Sequence, residues 1–209
     1  QYVKSSPVLY TDPLGLYAKL TFTMGTGDDM GTIKAEDIDN VTKNVKSSIS
    51  INRVFSGNGN YWNDPNSSHI KYMGPIPPGK YCLGTMQFVD PKPGHEQGDW
   101  RWFPIRRFEK YTGPESANIS VVDPTTGQTS IRNGFFLHTG RASDGCITVW
   151  SEEEPKIPGA DGELIPNPKY PHSPDYDKLV VFIKKAGGYV GPDSKGQCVE
   201  CKSGVLIVQ

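Results

Sequence analysis

A mainly β fold, a β-rich α+β arrangement, is predicted by three features of the sequence. Gly (23 residues) and Pro (18 residues) are abundant in a chain of 209, which suits short strands joined by many turns. Several runs alternate polar and apolar residues with the period of two of half-buried strands. One clear helix comes late in the chain, after most of those runs.

In chain order, Asp12-Pro13-Leu14-Gly15 is a turn, because Pro fixes φ and Gly supplies a positive φ where one is needed. LTFTM (20–24) and SISINRVF (48–55) alternate as strands do. Between them, KAEDIDNVTKNVKSS fits either a helix of modest propensity or a polar hairpin, and the pattern does not choose. FSGNGNYWNDPNSS (55–68) is a turn-rich loop. MGPIPPGKYCLGTM is too Pro-rich for a helix and leads into a strand begun by Lys80-Tyr81-Cys82. In PKPGHEQGDWRWFPIRRFEKY (91–111), Trp100, Trp102 and Phe103 are aromatics that pack in a core or form a cleft wall beside Arg101, Arg106 and Arg107. Ser173 caps the helix, LVVFIKK carries it and Gly187-Gly188 stops it; CKSGVLIVQ is a terminal strand.

The length accommodates one sizeable domain, or one domain and a short appendage. A formal net charge of −1, from 22 basic and 23 acidic residues that intermingle, argues against nucleic acid as a partner. No apolar run approaches the roughly 18 residues of a transmembrane segment. The opening QYVKSSPVLY has neither the charged nor the apolar region of a signal peptide and no initiator Met, so the chain is expected to be cut from something longer. The lone C-x-x-C of Cys198 and Cys201 lacks the four ligands of a structural zinc site and is expected to be a local disulfide or two free thiols. His69, His95 and His172 show no metal-ligand spacing, and Glu152-Glu153-Glu154 is a solvated turn. No metal or cofactor is expected.

The chemistry concentrates in FFLHTGRASDGCITVW (135–150). Cysteine catalysis needs a thiolate, a base and donors for an oxyanion. If 134–137 and 146–150 are neighbouring strands, His138 ends the first, Cys146 begins the second, and both face one rim. Gly145 would let the backbone approach a substrate, so that the Gly145 and Cys146 N–H groups point at the oxyanion. His138 would take the thiol proton. Ser143 or a main-chain carbonyl would orient its other ring nitrogen. Asp144 would raise the thiol pKa unless it points away or pairs with Arg141. The plainer alternative is a buried Cys146 acting as a small hydrophobe.

His138 followed by Ser143-Asp144-Gly145-Cys146-Ile147 resembles the active-site signature of the L,D-transpeptidases. Together with FSGNG…NDP and GPIPPGKY, it is closest to the compact branch found among type VI secretion effectors. The resemblance implies a β-sandwich of the L,D-transpeptidase type, with Cys146 as nucleophile, His138 as base, and Gly145 and Ser143 in support. Asp144 and Thr148 depart from the common pattern, so that family's carboxylate contacts are not carried over. Arg141, Trp100 and Trp102 are instead assigned to substrate on their own chemistry.

DPLGL near the N-terminus resembles the end of the core of Rhs-type polymorphic toxins. It implies residues 1–16 as the end of an Rhs shell, a cleavage-like site at Leu16 and Tyr17, and residues 17–209 as the toxin. The implied function is an antibacterial toxin with L,D-carboxypeptidase or L,D-transpeptidase activity, secreted by its producer and delivered to a target-cell periplasm. The implied partners are peptidoglycan tetrapeptide stems, a cognate periplasmic immunity protein, the Rhs shell and the secretion machinery. The competing readings are a non-catalytic glycan-binding module of the cell wall and a cysteine peptidase or amidase acting on another amide.

Overall fold

The computed structural model describes residues 16–26, 29–39, 41–88, 101–107, 118–151, 157–158, 164–165, 173–186 and 204–209. Among them the strands are β1 (Leu16–Thr23), β2 (Gly31–Asp39), β3 (Val45–Ser56), β4 (Gly79–Leu83), β5 (Gln87–Phe88), β6 (Arg101–Arg107), β7 (Ile119–Val122), β8 (Thr129–Arg132), β9 (Phe136–Gly140), β10 (Ile147–Trp150), β11 (Ile157–Pro158), β12 (Leu164–Ile165) and β13 (Gly204–Val208), and the helix is α1 (Pro174–Lys185). The mainly β expectation therefore holds. The turn at Asp12–Gly15, Trp100, His95, His172, Glu152–Glu154, Gly187, Gly188, Cys198 and Cys201 lie outside the described residues.

The junction expected at Leu16 and Tyr17 lies at the start of a strand. Both residues belong to β1, where Leu16 is in register with Asp39 and Tyr17 with Ile38 of β2. The ladder between β1 and β2 thus starts one residue before the expected toxin boundary at Tyr17. The sequence signal there was the DPLGL turn, and a turn motif does not tell at which residue the following strand begins to pair. Leu16 and Tyr17 are accordingly strand residues of the barrel wall.

The sheet departs from the expected sandwich. Strands β4, β13, β1, β2, β3, β10, β9 and β6 are neighbours in that order, and β6 pairs back onto β4, so eight strands close into a barrel. The closing register is Tyr81↔Arg107, Cys82↔Arg106 and Leu83↔Ile105. β13 lies parallel to β1 and antiparallel to β4, so the last strand bridges two distant parts of the chain. Closure leaves these strands without the two open edges that each sheet of a sandwich has.

Each strand turns alternate residues inward. Leu20, Phe22, Ile33, Ile51, Phe103, Leu137, Ile147, Val149 and Leu206 form one core with Tyr176, Leu179, Val180 and Ile183 of α1. Ser173 caps α1, its Oγ accepting from the Tyr176 N–H at 3.3 Å, and acidic Asp175 and Asp177 in the first turn complement the helix dipole. The Tyr176 hydroxyl donates to the carbonyls of Arg101 and Leu137, and Arg101 pairs with Asp177, so the helix start is tied to β6 and β9. No helix among the described residues is long and apolar enough to cross a membrane.

The segment that fitted either a helix or a hairpin is a hairpin. Asp39 decides it: its carboxylate accepts from the N–H groups of Val41 and Thr42 at 2.9 and 2.8 Å and pairs with Lys46 at 3.1 Å, closing the turn between β2 and β3. Those contacts hold the Asp39 carboxyl well below the usual range, the Thr42 N–H contributing most. The Leu206 side chain is fully buried on the strand that links β1 to β4. Leu206→Ala is expected to lower unfolding free energy by about 2–5 kcal/mol, measurable by urea denaturation; an unchanged midpoint and slope would contradict this packing.

Candidate active site

β9 and β10 are neighbours, as expected, but they run parallel, with Leu137↔Ile147 and His138↔Thr148 in register. A hairpin would have brought the end of one strand to the start of the next. Here residues 141–146 run back roughly 10 Å along the strand direction to begin β10 level with Leu137. His138 consequently sits within β9, not at its end. Cys146, just before β10, comes level with Phe136, one inward residue away from the level of His138.

Alternation sends Leu137, Ile147 and Val149 into the core. His138, Thr148 and Cys146 belong to the opposite, outer face. The antiparallel pairing Phe103↔Leu137 adds Trp102 to that face beside His138, and the Trp102 ring stacks on the imidazole with centroids 4.8 Å apart and planes 25° apart. On the other side, Phe55 is level with Thr148. A row Phe55, Thr148, His138, Trp102 therefore crosses four strands. Leu16 and Tyr17 take no part in it, since β2 and β3 stand between their strand and β10.

The imidazole is held in one tautomer. Its Nδ1 lies 2.8 Å from the Thr139 carbonyl oxygen, which can only accept, so Nδ1 carries the proton and Nε2 is left basic. Nε2 faces the Thr148 hydroxyl at 3.4 Å. Burial lowers the His138 pKa, opposed by the Thr139 carbonyl and by the charge of Asp144. His138 is thus a neutral base at pH 7. Between the two orienting groups considered from sequence, the carbonyl takes the ring nitrogen, while Ser143 is used elsewhere: its Oγ donates to the Cys146 carbonyl at 2.7 Å and closes the turn ahead of β10.

Cys146 is half-buried and a free thiol. Its Sγ contacts the Gly134 carbonyl at 3.9 Å, and no hydrogen bond joins it to His138. Burial pushes the thiol pKa up to about 11; the Phe136 N–H and the cation of Arg132 act in the opposite direction, and Asp144 reinforces the rise. Exposed Asp144 therefore has the effect anticipated for it. In the unliganded protein Cys146 is a thiol.

The turn before Cys146 requires glycine on two counts. Gly145 has φ +104°, and a Cβ there would lie 2.4 Å from Arg132 Nη2 and 2.8 Å from the Gly74 carbonyl oxygen. Its carbonyl accepts from Ser56 Oγ at 2.9 Å, and the same hydroxyl accepts from the Ile76 N–H at 2.9 Å. Asn63 joins this knot, its Oδ1 accepting from the Ser56 N–H at 3.0 Å. Asp64 caps the short turn Pro65–Ser67. The FSGNG…NDP and GPIPPGKY segments are thus physically part of the site, since they wrap the turn that carries the cysteine.

Arg141 is exposed, with its guanidinium 5.9 Å from the Trp150 ring centroid, and Arg53 lies over the same ring at 5.7 Å. Trp150 packs with Phe55 and Trp62, centroids 5.9 and 6.1 Å away. Trp102, assigned to substrate from sequence, has its ring engaged by His138 and Phe136. Sequence reasoning missed Ser56 and Arg132. Ser56 lay in a segment already singled out, whereas nothing distinguished Arg132 among 22 basic residues. A separate open hollow of about 730 Å³, lined by Met24, Asn60, Trp62 and Gln209, includes neither Cys146 nor His138. Cys82 is disulfide-bonded.

The family model described as the Tlde1 domain matches residues 50–157, just over half of the chain. The chain belongs to the Tlde1 domain family. This is a family of type VI secretion effectors, toxins that target peptidoglycan. The match runs from β3 through β10 and contains Ser56, Gly74, Arg132, His138 and Cys146; β1, β2, α1 and β13 complete the barrel and its core outside it. No curated protein and no solved structure matches the chain significantly.

A thiol with pKa near 11 has a thiolate fraction that rises about tenfold per pH unit well below that value. Iodoacetamide alkylation of Cys146, followed by peptide mass spectrometry, is expected to be slow at pH 7 and to accelerate on that slope to pH 10. A rate that is fast and flat from pH 7 upward would contradict the resting state described.

Proposed function

We propose that this Tlde1-family toxin acts by cysteine acyl transfer on peptidoglycan tetrapeptide stems. The observation that carries the reading is the placement of Cys146 on the same outer face as a neutral His138 whose Nε2 is basic. Family membership supports the substrate class. In this reaction Sγ turns from the Gly134 carbonyl toward Nε2 as the substrate displaces water, and His138 takes the thiol proton. The thiolate attacks the carbonyl of the residue before the terminal D-amino acid.

The negative charge that gathers on that carbonyl oxygen is met by the N–H groups of the Gly145–Cys146 turn. As the intermediate collapses, the C–N bond breaks, the leaving amine takes its proton from His138, and a thioester remains on Sγ. Water as acceptor, deprotonated by His138, regenerates the thiol and yields a shortened stem, the L,D-carboxypeptidase outcome. A free D-amino acid as acceptor gives exchange, and the amine of a neighbouring stem gives a cross-link. Trimming or exchange suits a toxin, because each removes the donor stems that a target cell uses to build its wall.

The exposed Arg141 and Arg53, gathered over Trp150 beside this face, suit the carboxylates of stem peptides. We place the site of action in the target-cell periplasm, where these stems lie. A cognate immunity protein follows from the toxin class; in the producer's periplasm it would most simply plug the His138/Cys146 face. Linkage to an Rhs shell belongs to the same proposal. Because Leu16 and Tyr17 are paired in β1, release at that bond would have to precede the closing of the β1–β2 ladder.

Incubating purified tetrapeptide fragments with the protein, with and without an added D-amino acid, tests the reading by mass spectrometry. The wild type is expected to remove or replace the terminal D-alanine, and Cys146→Ala and His138→Ala to lose at least about a hundredfold in rate. Unchanged fragments with folded wild type would overturn it in favour of a glycan-binding module or a different amide substrate.

A further inference from the structure

Arg132, at the end of β8, is 2% exposed. Its Nη1 donates to the Ser68 carbonyl at 2.5 Å, its Nη2 donates to the Gly74 carbonyl at 2.9 Å, and its guanidinium lies 5.0 Å from the Phe135 ring centroid. All of these partners are neutral. Burying a charge is costly unless an opposite charge compensates it, and no carboxylate among the described residues pairs with Arg132. A clamp for two carbonyls needs only donors, so the buried full charge calls for a further explanation.

Two groups that can become anionic interact electrostatically with the guanidinium, Tyr81 and Cys146. The Tyr81 hydroxyl donates to the Pro77 carbonyl at 2.6 Å, and burial raises its pKa far above neutrality, so it stays uncharged. Cys146 remains. The link is also steric: Nη2 packs so closely on the Gly145 backbone that no Cβ fits between them. The other groups bearing on the thiol are Asp144, which disfavours its ionisation, and the Phe136 N–H, which favours it; His138 on β9 is neutral.

We propose that Arg132 is the electrostatic partner of Cys146, a buried guanidinium packed on the Gly145 turn that supplies the counter-charge for the thiolate. The proposal rests on the reading of Cys146 as nucleophile. It makes Arg132 a positioning residue, acting on charge at the thiol and not on substrate. It also accounts for the resting state: burial and Asp144 keep the thiol protonated, while a fixed cation waits for the charge that appears once the proton has gone to His138.

Alkylation of Cys146 by iodoacetamide between pH 7 and 10 reads the thiolate fraction without any peptidoglycan substrate. Arg132→Met is expected to slow alkylation about tenfold at each pH, corresponding to a rise of about one pKa unit, whereas Arg132→Lys retains most of the rate. Equal rates for wild type and folded Arg132→Met would overturn the proposal. Should Arg132→Met fail to fold, the Arg132 side-chain ¹³Cζ resonance, followed through the thiol titration near pH 11, serves instead: it is expected to move with thiol ionisation in the wild type and not to show that step in Cys146→Ala. A resonance that ignores pH in the wild type would overturn it equally. Tetrapeptides left intact by a protein that passes these tests would sink the substrate reading and leave the ion pair standing.

Discussion

The Gly145 carbonyl accepts a hydrogen bond from Ser56 Oγ, and Ser56 Oγ in turn accepts from the Ile76 N–H, so one hydroxyl joins β3, the Pro-rich segment and the turn before Cys146. Arg132 closes the knot from the other side through the Ser68 and Gly74 carbonyls. All three centres are buried, and each lost contact would leave a polar group without a partner. The direction in which the cysteine leaves the turn, and the level at which β10 meets β9, depend on this knot. Glycine is the only residue type that fits at position 145, because of both its φ and the space available.

The barrel supplies the rest of the geometry. Four adjacent strands, β3, β10, β9 and β6, present Phe55, Thr148, His138 and Trp102 on one outward row, while their inward residues pack against α1 and the opposite wall. The imidazole is thereby held on three sides: Trp102 stacks on its face, the Thr139 carbonyl holds Nδ1, and Thr148 meets Nε2. The Cys146 thiol is less constrained, its Sγ having a long contact with the Gly134 carbonyl and the N–H of Phe136 nearby. A rigid imidazole and a thiol still protonated suit the proposed reaction, in which the site stays chemically quiet until a stem peptide fills the face.

Much of this was legible in local pattern. The runs around Phe22 and Ile51 alternate as strands do, the strand begun by Lys80-Tyr81-Cys82 follows its Pro-rich entry, and Ser173 followed by acidic residues marks the helix start that the structure has. The eight-residue spacing of His138 and Cys146, with Gly145 beside the cysteine, marked the candidate site, and the structure places both on one face. What local pattern lacks is register. Nothing in the strand sequences distinguishes a sandwich from a barrel closed by Cys82↔Arg106, and GFFLHTG beside CITVW fits a hairpin as well as the parallel pair that forms. The pairing of Tyr17 with Ile38 was hidden in the same way, because the turn motif ahead of it says nothing about its partner strand. Arg132 escaped notice for a related reason: a charged residue in a short polar strand has the sequence profile of a solvated one, and only the tertiary fold buries it.

The account turns on Cys146 becoming acylated, and trapping that species tests it most directly. Intact-protein mass spectrometry after brief acid quench, with tetrapeptide in excess, is expected to show an adduct equal to the stem lacking its terminal D-alanine, mapping to Cys146 and released by hydroxylamine. The adduct should be absent from Cys146→Ala. Turnover of tetrapeptide by Cys146→Ala at the wild-type rate, or an adduct that maps to another residue, would contradict the account.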